Sequence, residues 1–128
     1  MEKFPEPKKG TVFYDDGRVY ACLAFAPKAE GHTIVAWKEE VKDLSHLSPE
    51  DYQHLMNVVN KVRNALLKVF KTDKVYLAYL DEDGHVHWHL FPRIEGSKKG
   101  FDLMCQPSGE LTDLSKVPFL RYLLSTNS

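Results

Sequence analysis

The chain has 128 residues, with 17 basic and 18 acidic side chains and a formal net charge of -1. This balance excludes a general electrostatic affinity for nucleic acids or membrane surfaces, and the hydrophobic content of 43% excludes a wholly disordered chain. We expect one domain over residues 1–128, with an irregular arm over 1–10 and a loop-rich tail over 94–128. We expect no membrane partner and no sequence-specific nucleic acid partner.

The two cysteines and the N-terminal residues bear on the cellular compartment. Cys22 and Cys105 lie far apart in the chain and form no Cys-x-x-Cys motif, so we expect two reduced thiols rather than a disulfide framework or a zinc site. The charged N-terminal residues lack the apolar stretch of a signal peptide, and no apolar run approaches the ~20 residues of a membrane span. These features predict a cytoplasmic protein.

The first third of the chain predicts three strands. They cover residues 11–14, 19–25 and 32–37, and the Asp15-Asp-Gly17 segment between the first two is a turn in which glycine supplies a positive φ. Strand 19–25 is mostly apolar on both faces, which is typical of a central strand in a covered sheet. Residues 38–47 are polar and predict a loop with a short helical turn.

A long helix follows over residues 49–70. Ser48 is a favourable N-cap, Pro49 suits the first helical position, and Asp51 completes a sequence similar to a capping box. Apolar residues then recur with a 3.6-residue period at Tyr52, Leu55, Met56, Val59, Val62, Leu66, Val69 and Phe70. This period predicts one apolar helix face that covers one side of the sheet.

The second half of the chain predicts a hairpin. Residues 74–80 and 85–91 are strand candidates, and the connection 81–84 is so short that the two strands must be antiparallel neighbours. Residues 95–109 have the glycine and proline content of a loop, and 118–124 predict a short terminal helix.

The second arm of this hairpin contains three histidines in five residues, in the segment His85-Val-His-Trp-His89. Side chains on a strand alternate between its faces. His85, His87 and His89 therefore share one face, and the apolar residues between them face the core. The segment is the strongest functional signal in the chain.

Three interpretations of the imidazoles are open. Either the alternation of histidines is accidental, or the imidazoles bind a metal, or they act on phosphate. His85 and His89 start ~13 Å apart on a strand, whereas zinc holds each nitrogen at ~2.1 Å; a two-histidine site would need a further donor, such as His32 or an acid from 81–83. For phosphate chemistry, an imidazole nitrogen can attack phosphorus, and neighbouring imidazoles can hydrogen-bond phosphoryl oxygens.

The sequence resembles the histidine-triad (HIT) superfamily of nucleotidyl hydrolases and transferases. The segment His85-Val-His-Trp-His-Leu-Phe91 matches the superfamily motif. The segment Gly31-His-Thr-Ile-Val-Ala-Trp-Lys38, followed by Val41-Lys-Asp-Leu44, Leu47-Ser-Pro-Glu50 and the long helix, resembles the upstream half in order and spacing. The resemblance covers roughly residues 11–93.

This resemblance implies an α+β fold with a five-stranded antiparallel sheet and one long helix, to which the short C-terminal helix predicted over 118–124 is added. It implies a homodimer and a nucleotide substrate, namely a nucleoside phosphoanhydride, a phosphoramidate or a dinucleoside polyphosphate. No cofactor is required in such a reaction. A nucleotide-binding or protein-interaction module with the same fold and little catalytic activity is the alternative.

The resemblance also implies roles for single residues. His87 would be the nucleophile that carries the nucleotidyl group before water releases a nucleoside monophosphate. His89 would contact phosphate and help protonate the leaving group, and His85 would orient the nucleophile. His32 would support the triad at the substrate. Arg93 is a further candidate for phosphate contact.

The chain departs from the superfamily pattern at two places. Glu40 stands where many members have a histidine, and the short turn 81–84 stands where hydrolases usually carry a longer phosphate-binding loop. The turn contains Asp81, Glu82 and Asp83, whose charges would repel phosphate. We expect a solvated turn, or a divalent cation near Asp81 and Asp83 that lets Asp83 serve the substrate.

Overall fold

The structure is a computed structural model that describes residues 6–80 and 84–126. Five strands form one antiparallel sheet in the order β1-β2-β3-β5-β4. The strands are β1 (Val12–Asp15), β2 (Val19–Leu23), β3 (Thr33–Trp37), β4 (Val75–Tyr79) and β5 (His87–Pro92). The sheet confirms the predicted α+β fold, and the pairing of β4 with β5 confirms the hairpin.

The long helix α1 (Pro49–Val69) covers one face of the sheet. It begins where predicted, because the Ser48 hydroxyl accepts a hydrogen bond of 3.1 Å from the Asp51 backbone amide and proline occupies the first helical position. Its buried face consists of Leu55, Val58, Val59, Val62, Ala65 and Leu66. Burial of these side chains against the sheet gives the main hydrophobic core.

The histidines lie on the sheet face opposite α1. Val86 and Leu90 are fully buried in the core beneath the helix, so the alternation along β5 turns His87 and His89 to the other face. On that face Ile34 of β3 opposes His89, and Ala36 opposes His87. The sheet register thus places the two imidazoles between β3 and β4, near the middle of the sheet.

Two strand boundaries differ from the prediction by two residues, and the others agree to within one. Strand β5 begins at His87 rather than His85, although the Val86 carbonyl still accepts a hydrogen bond of 3.0 Å from the Trp37 amide. Strand β2 ends at Leu23, because the chain turns away to form the loop that leads to β3. Phe25 is consequently 63% exposed rather than part of a covered strand.

The tail contains more structure than the sequence predicts. Helix α2 (Gly100–Met104) lies inside the segment predicted to be a loop. It is only five residues long, too short for a periodic pattern, and it forms because Leu103 is fully buried and the Gly100 amide donates to the Tyr76 hydroxyl at 3.0 Å.

The last helix, α3 (Val117–Thr126), confirms the predicted terminal helix and begins one residue earlier. It packs against α1 and β1, and its buried residues are Val117, Leu120 and Leu124. Between β3 and α1, residues Leu44–His46 form the predicted short turn, a 3-10 helix. In the described ranges, the helices are all too short or too polar to cross a membrane.

Several predictions concern residues 1–5 and 81–83, which lie outside the described residues; these residues include half of the predicted irregular arm and the three acids of the predicted turn. Cys22 is buried, Cys105 is exposed, and both are unpaired, as expected.

Candidate active site

His87 is buried on β5, with 7% of its surface exposed. Its Nδ1 lies 2.8 Å from the backbone carbonyl oxygen of His85. A carbonyl oxygen only accepts hydrogen bonds, so Nδ1 carries the proton in the neutral ring and Nε2 carries the lone pair. The local chain path therefore fixes His87 in the tautomer that makes Nε2 a nucleophile.

His89 is held by a second chain of hydrogen bonds. Its Nδ1 lies 2.9 Å from Nε2 of His32, and Nδ1 of His32 accepts the Lys28 backbone amide at 3.1 Å. An amide only donates, so Nδ1 of His32 is bare and its Nε2–H donates to His89. The neutral His89 ring consequently carries its own proton on Nε2. The two histidines of β5 thus have opposite tautomers.

Packing of the preceding glycine explains the fixed position of His32, which is 4% exposed. Gly31 has a φ of 81°, and a Cβ at this position would meet Pro92 Cγ at 2.9 Å and Phe70 Cζ at 3.0 Å. A larger residue would therefore clash with two elements at once. The His32 ring stacks on Phe91, with centroids 4.2 Å apart and planes at 26°.

Burial and nearby positive charge keep the imidazoles of His32 and His89 neutral. Desolvation, with contributions from His89 and the Lys28 charge, lowers the pKa of His32 to about 3. Desolvation, His87 and Lys28 lower the pKa of His89 to about 4. Since an ordinary histidine has a pKa of about 6.5, both rings are neutral at physiological pH, in agreement with the hydrogen bonds.

The structure brings His32, His87 and His89 together, and it places the other candidates differently. His85 precedes the strand and is buried; its backbone carbonyl contacts His87. The Arg93 guanidinium forms an ion pair of 3.1 Å with Asp73, and a separation of four residues on a strand corresponds to ~13 Å from His89. Glu40 is exposed just after β3, and Asp83 lies outside the described residues.

Lys28 is a site residue that the sequence did not reveal. Its backbone amide binds His32, its charge lowers the pKa of two imidazoles, and it lines a cleft of about 330 Å³ beside His32. A backbone donor leaves no trace in the side-chain pattern. The only available signal was a lysine in the turn before the Gly31-His32 pair.

Among residues 6–80 and 84–126, no group of three or more histidine, cysteine, aspartate or glutamate side chains is arranged to hold a metal ion. The cation predicted near Asp81 and Asp83 falls outside these ranges.

Comparisons with known proteins identify the family of the chain. A family model described as HIT domain matches residues 6–96. An uncharacterized HIT-like protein of Mycobacterium tuberculosis is 29% identical over 109 residues, which cover 77% of this chain and 76% of that protein. An uncharacterized HIT-like protein of Methanocaldococcus jannaschii is 31% identical over 93 residues, covering 66% of this chain and 70% of that protein.

Solved structures have the same fold. A zinc-bound histidine triad family protein from Mycobacterium smegmatis aligns with a TM-score of 0.73 and 24% identity, covering 91% of this chain and 84% of that one. A diadenosine triphosphate hydrolase from Plasmodium falciparum aligns with a TM-score of 0.74 and 18% identity, covering 95% and 81%. At such identities the likeness establishes the architecture alone.

Proposed function

Because the chain belongs to the HIT domain family, we propose that it is a nucleotidyl hydrolase or transferase. Its substrate would be a nucleoside phosphoanhydride, phosphoramidate or dinucleoside polyphosphate. The observation that carries the proposal is the hydrogen bonding of the two rings on β5, whose centroids are 4.9 Å apart. From it we infer opposite tautomers, with a nitrogen lone pair on His87 and an N–H donor on His89. Nucleophilic attack on phosphorus needs both groups.

In the first step, Nε2 of His87 attacks the α-phosphorus. A P–N bond forms while the bond from phosphorus to the leaving group breaks, and the leaving group takes the bonding electron pair and a proton from water. The His87 ring becomes positively charged. The His85 carbonyl, which accepts the Nδ1–H at 2.8 Å, stabilises that charge and keeps the ring aligned.

His89 acts in this step as a hydrogen-bond donor to a phosphoryl oxygen. Its Nδ1 already accepts the proton of His32, so loss of the Nε2 proton would leave a negatively charged ring. Of the two roles that the resemblance implies for His89, this arrangement supports contact with phosphate over protonation of the leaving group. Donors fixed before the reaction stabilise developing charge without reorganisation.

In the second step, water attacks the phosphorus of the adduct and the P–N bond breaks. The electron pair returns to Nε2 of His87, the water gives up a proton to solvent, and a nucleoside monophosphate leaves. An alcohol or phosphate acceptor in place of water would make the reaction a transfer. The Lys28 ammonium supplies positive charge beside the site, which favours a phosphate ligand.

The name of the Plasmodium relative, a diadenosine triphosphate hydrolase, supports a phosphoanhydride substrate. Two substrates therefore suit the first experiment, diadenosine tetraphosphate and a fluorogenic adenosine phosphoramidate. During turnover of either one, rapid quenching and intact-mass spectrometry should detect wild-type protein carrying one nucleotidyl group, located on His87 by peptide mapping. His87→Ala should show neither the adduct nor turnover, with a loss of activity on the order of 10⁴-fold or more.

A matched control is His46→Ala, since His46 is exposed in the 3-10 helix and should leave both measurements unchanged. Turnover by His87→Ala at the wild-type rate would contradict the nucleophile. If wild-type protein binds adenosine monophosphate but turns over neither substrate, the chain is a nucleotide-binding module instead.

A further inference from the structure

Residues beyond the family match form hydrogen bonds with the β2–β3 loop, which contains Lys28. The side-chain amide nitrogen of Gln106 donates to the Lys28 carbonyl oxygen at 3.1 Å and to the Leu103 carbonyl oxygen at 3.1 Å. The Gly109 backbone amide donates to the Pro27 carbonyl oxygen at 2.7 Å. Two neighbouring carbonyls of the β2–β3 loop are thus bound by two tail residues that lie outside the matched range 6–96.

The same loop residue connects the tail to the imidazoles. The Lys28 carbonyl oxygen accepts a hydrogen bond from Gln106, and the Lys28 amide donates a hydrogen bond to Nδ1 of His32. Nε2 of His32 in turn forms a hydrogen bond of 2.9 Å with Nδ1 of His89. Three hydrogen bonds, joined through the Lys28 backbone and the His32 ring, therefore connect Gln106 to Nδ1 of His89.

The two bonds at ring nitrogens fix the proton positions of His32 and His89. Without the Lys28 amide on its Nδ1, the His32 ring would be free to carry its proton there and to present a lone pair to His89. His89 would then favour a proton on Nδ1 and lose the Nε2–H donor, or take up a second proton. The groups that face His89 are His32, His87, the Lys28 charge and the Phe91 ring.

We propose that Gln106 and the Gly109 amide are positioning groups for the reaction, because they hold the loop whose amide sets the tautomers of His32 and His89. Helix α2 anchors the Gln106 side chain, since Leu103 supplies its second acceptor and is itself fully buried. The proposal rests on the proposed function only for its effect on rate. The proton positions exist in the ligand-free protein and are measurable without substrate.

The first test replaces Gln106 by glutamate. The carboxylate of Gln106→Glu keeps the size of the side chain but only accepts hydrogen bonds, so it would repel the Lys28 and Leu103 carbonyls. Gln53→Glu, at an exposed position of α1, is the control with the same change in charge. Long-range ¹H–¹⁵N spectra of ring nitrogens report the tautomer of each histidine in both variants.

A second pair of variants removes the other bond without a change in charge. Gly109→Pro deletes the amide proton, whereas Gly109→Ala keeps it and places a Cβ 3.6 Å from the Pro27 carbonyl oxygen, an ordinary contact. Thermal unfolding of all four variants establishes that each is folded at the temperature of the spectra. If Gln106→Glu fails to fold, the glycine pair carries the test.

In wild-type protein and the two controls, His32 and His89 should be Nε2–H tautomers and His87 should be an Nδ1–H tautomer. In Gln106→Glu and Gly109→Pro, His32 and His89 should become mixtures while His87 is unchanged. In these two variants kcat should fall about tenfold, while KM stays within about twofold of the wild-type value. The reason is that the lost Nε2–H donor of His89 acts on the bound substrate.

Unchanged tautomers of His32 and His89 in folded Gln106→Glu and Gly109→Pro would overturn the proposal. So would equal changes in the controls, which would indicate a general structural effect. Failure of the proposed function has a different signature: wild-type protein would form no adduct on His87, while the spectra would still respond to the two tail variants.

Discussion

The buried imidazoles of His32 and His89 make the stability of the protein depend on pH. The unfolded chain takes up a proton on each histidine at a pKa of about 6.5, whereas the folded protein does so only near pKa values of about 3 and about 4. Below pH 6.5 the unfolded state therefore binds more protons, and stability falls as the pH falls. Well above pH 6.5 neither ring contributes to this dependence.

We predict that the free energy of unfolding declines steadily from pH 7 toward pH 4. The decline from His32 alone would amount to on the order of 5 kcal/mol if the pH reached 3. Urea denaturation at a series of pH values measures it.

His32→Gln is the informative variant, because the amide oxygen can accept from Lys28 and the amide nitrogen can donate to His89 without titrating. Its unfolding free energy should depend less on pH than that of wild-type protein. His46→Gln, at an exposed position, should follow wild type. Identical pH dependence in His32→Gln and wild type would contradict the assignment.

Sequence alternation predicted the shared face of His87 and His89, and the superfamily resemblance implied the support from His32, which lies just before β3. It did not predict which nitrogen of each ring carries the proton. That property depends on the carbonyl of His85 and the amide of Lys28, and backbone groups are the same in every residue. Residue type alone therefore identifies the candidate histidines. Which nitrogen of each ring is protonated depends on the path of the backbone around it.

At the scale of elements, α1 was predictable because its signals are local. The cap at Ser48, the proline after it and the 3.6-residue period all lie within the helix itself. Helix α2 was missed because its stabilising contacts, the burial of Leu103 and the bond to Tyr76, come from distant parts of the chain. The end of β2 was misplaced for a similar reason, since the apolar residues of the loop continue the strand pattern.

The N-cap of α1 allows a quantitative prediction. Ser48→Ala removes the acceptor of the Asp51 amide and should lower the free energy of unfolding by about 1 kcal/mol. Ser48→Asp should retain most of the stability, because aspartate caps equally well and complements the helix dipole. Chemical denaturation measures both, with Ser108→Ala, an exposed tail position, as the control within about 0.5 kcal/mol of wild type. An equal loss in Ser48→Asp would contradict the capping role.

At the scale of the whole molecule, β4 is the edge of the sheet next to β5. Leu77 on this strand and Leu80 just after it are exposed, the latter by 65%. An edge strand with exposed apolar residues favours pairing with another strand. We propose that two copies of the chain pair along β4, in line with the homodimer that the superfamily resemblance implies.

Sedimentation equilibrium tests this proposal, with a mass of twice 14.7 kDa expected for wild-type protein. The double substitution Leu77→Lys and Leu80→Lys should give the monomer mass, because two like charges would meet across the paired edges. Phe119→Lys on α3, also at an exposed position, should remain dimeric. A monomer mass for wild-type protein would exclude the interface.

The bonds from Gln106 and Gly109 to the β2–β3 loop have a consequence for tracing this protein through evolution and for engineering it. The match to the family model ends at residue 96, yet the unit that would have to be inherited, or transplanted, as one piece extends at least to Gly109. A designer who grafted the histidine segment and its upstream partner onto another sheet would copy the reactive groups and leave behind the residues that determine their protonation.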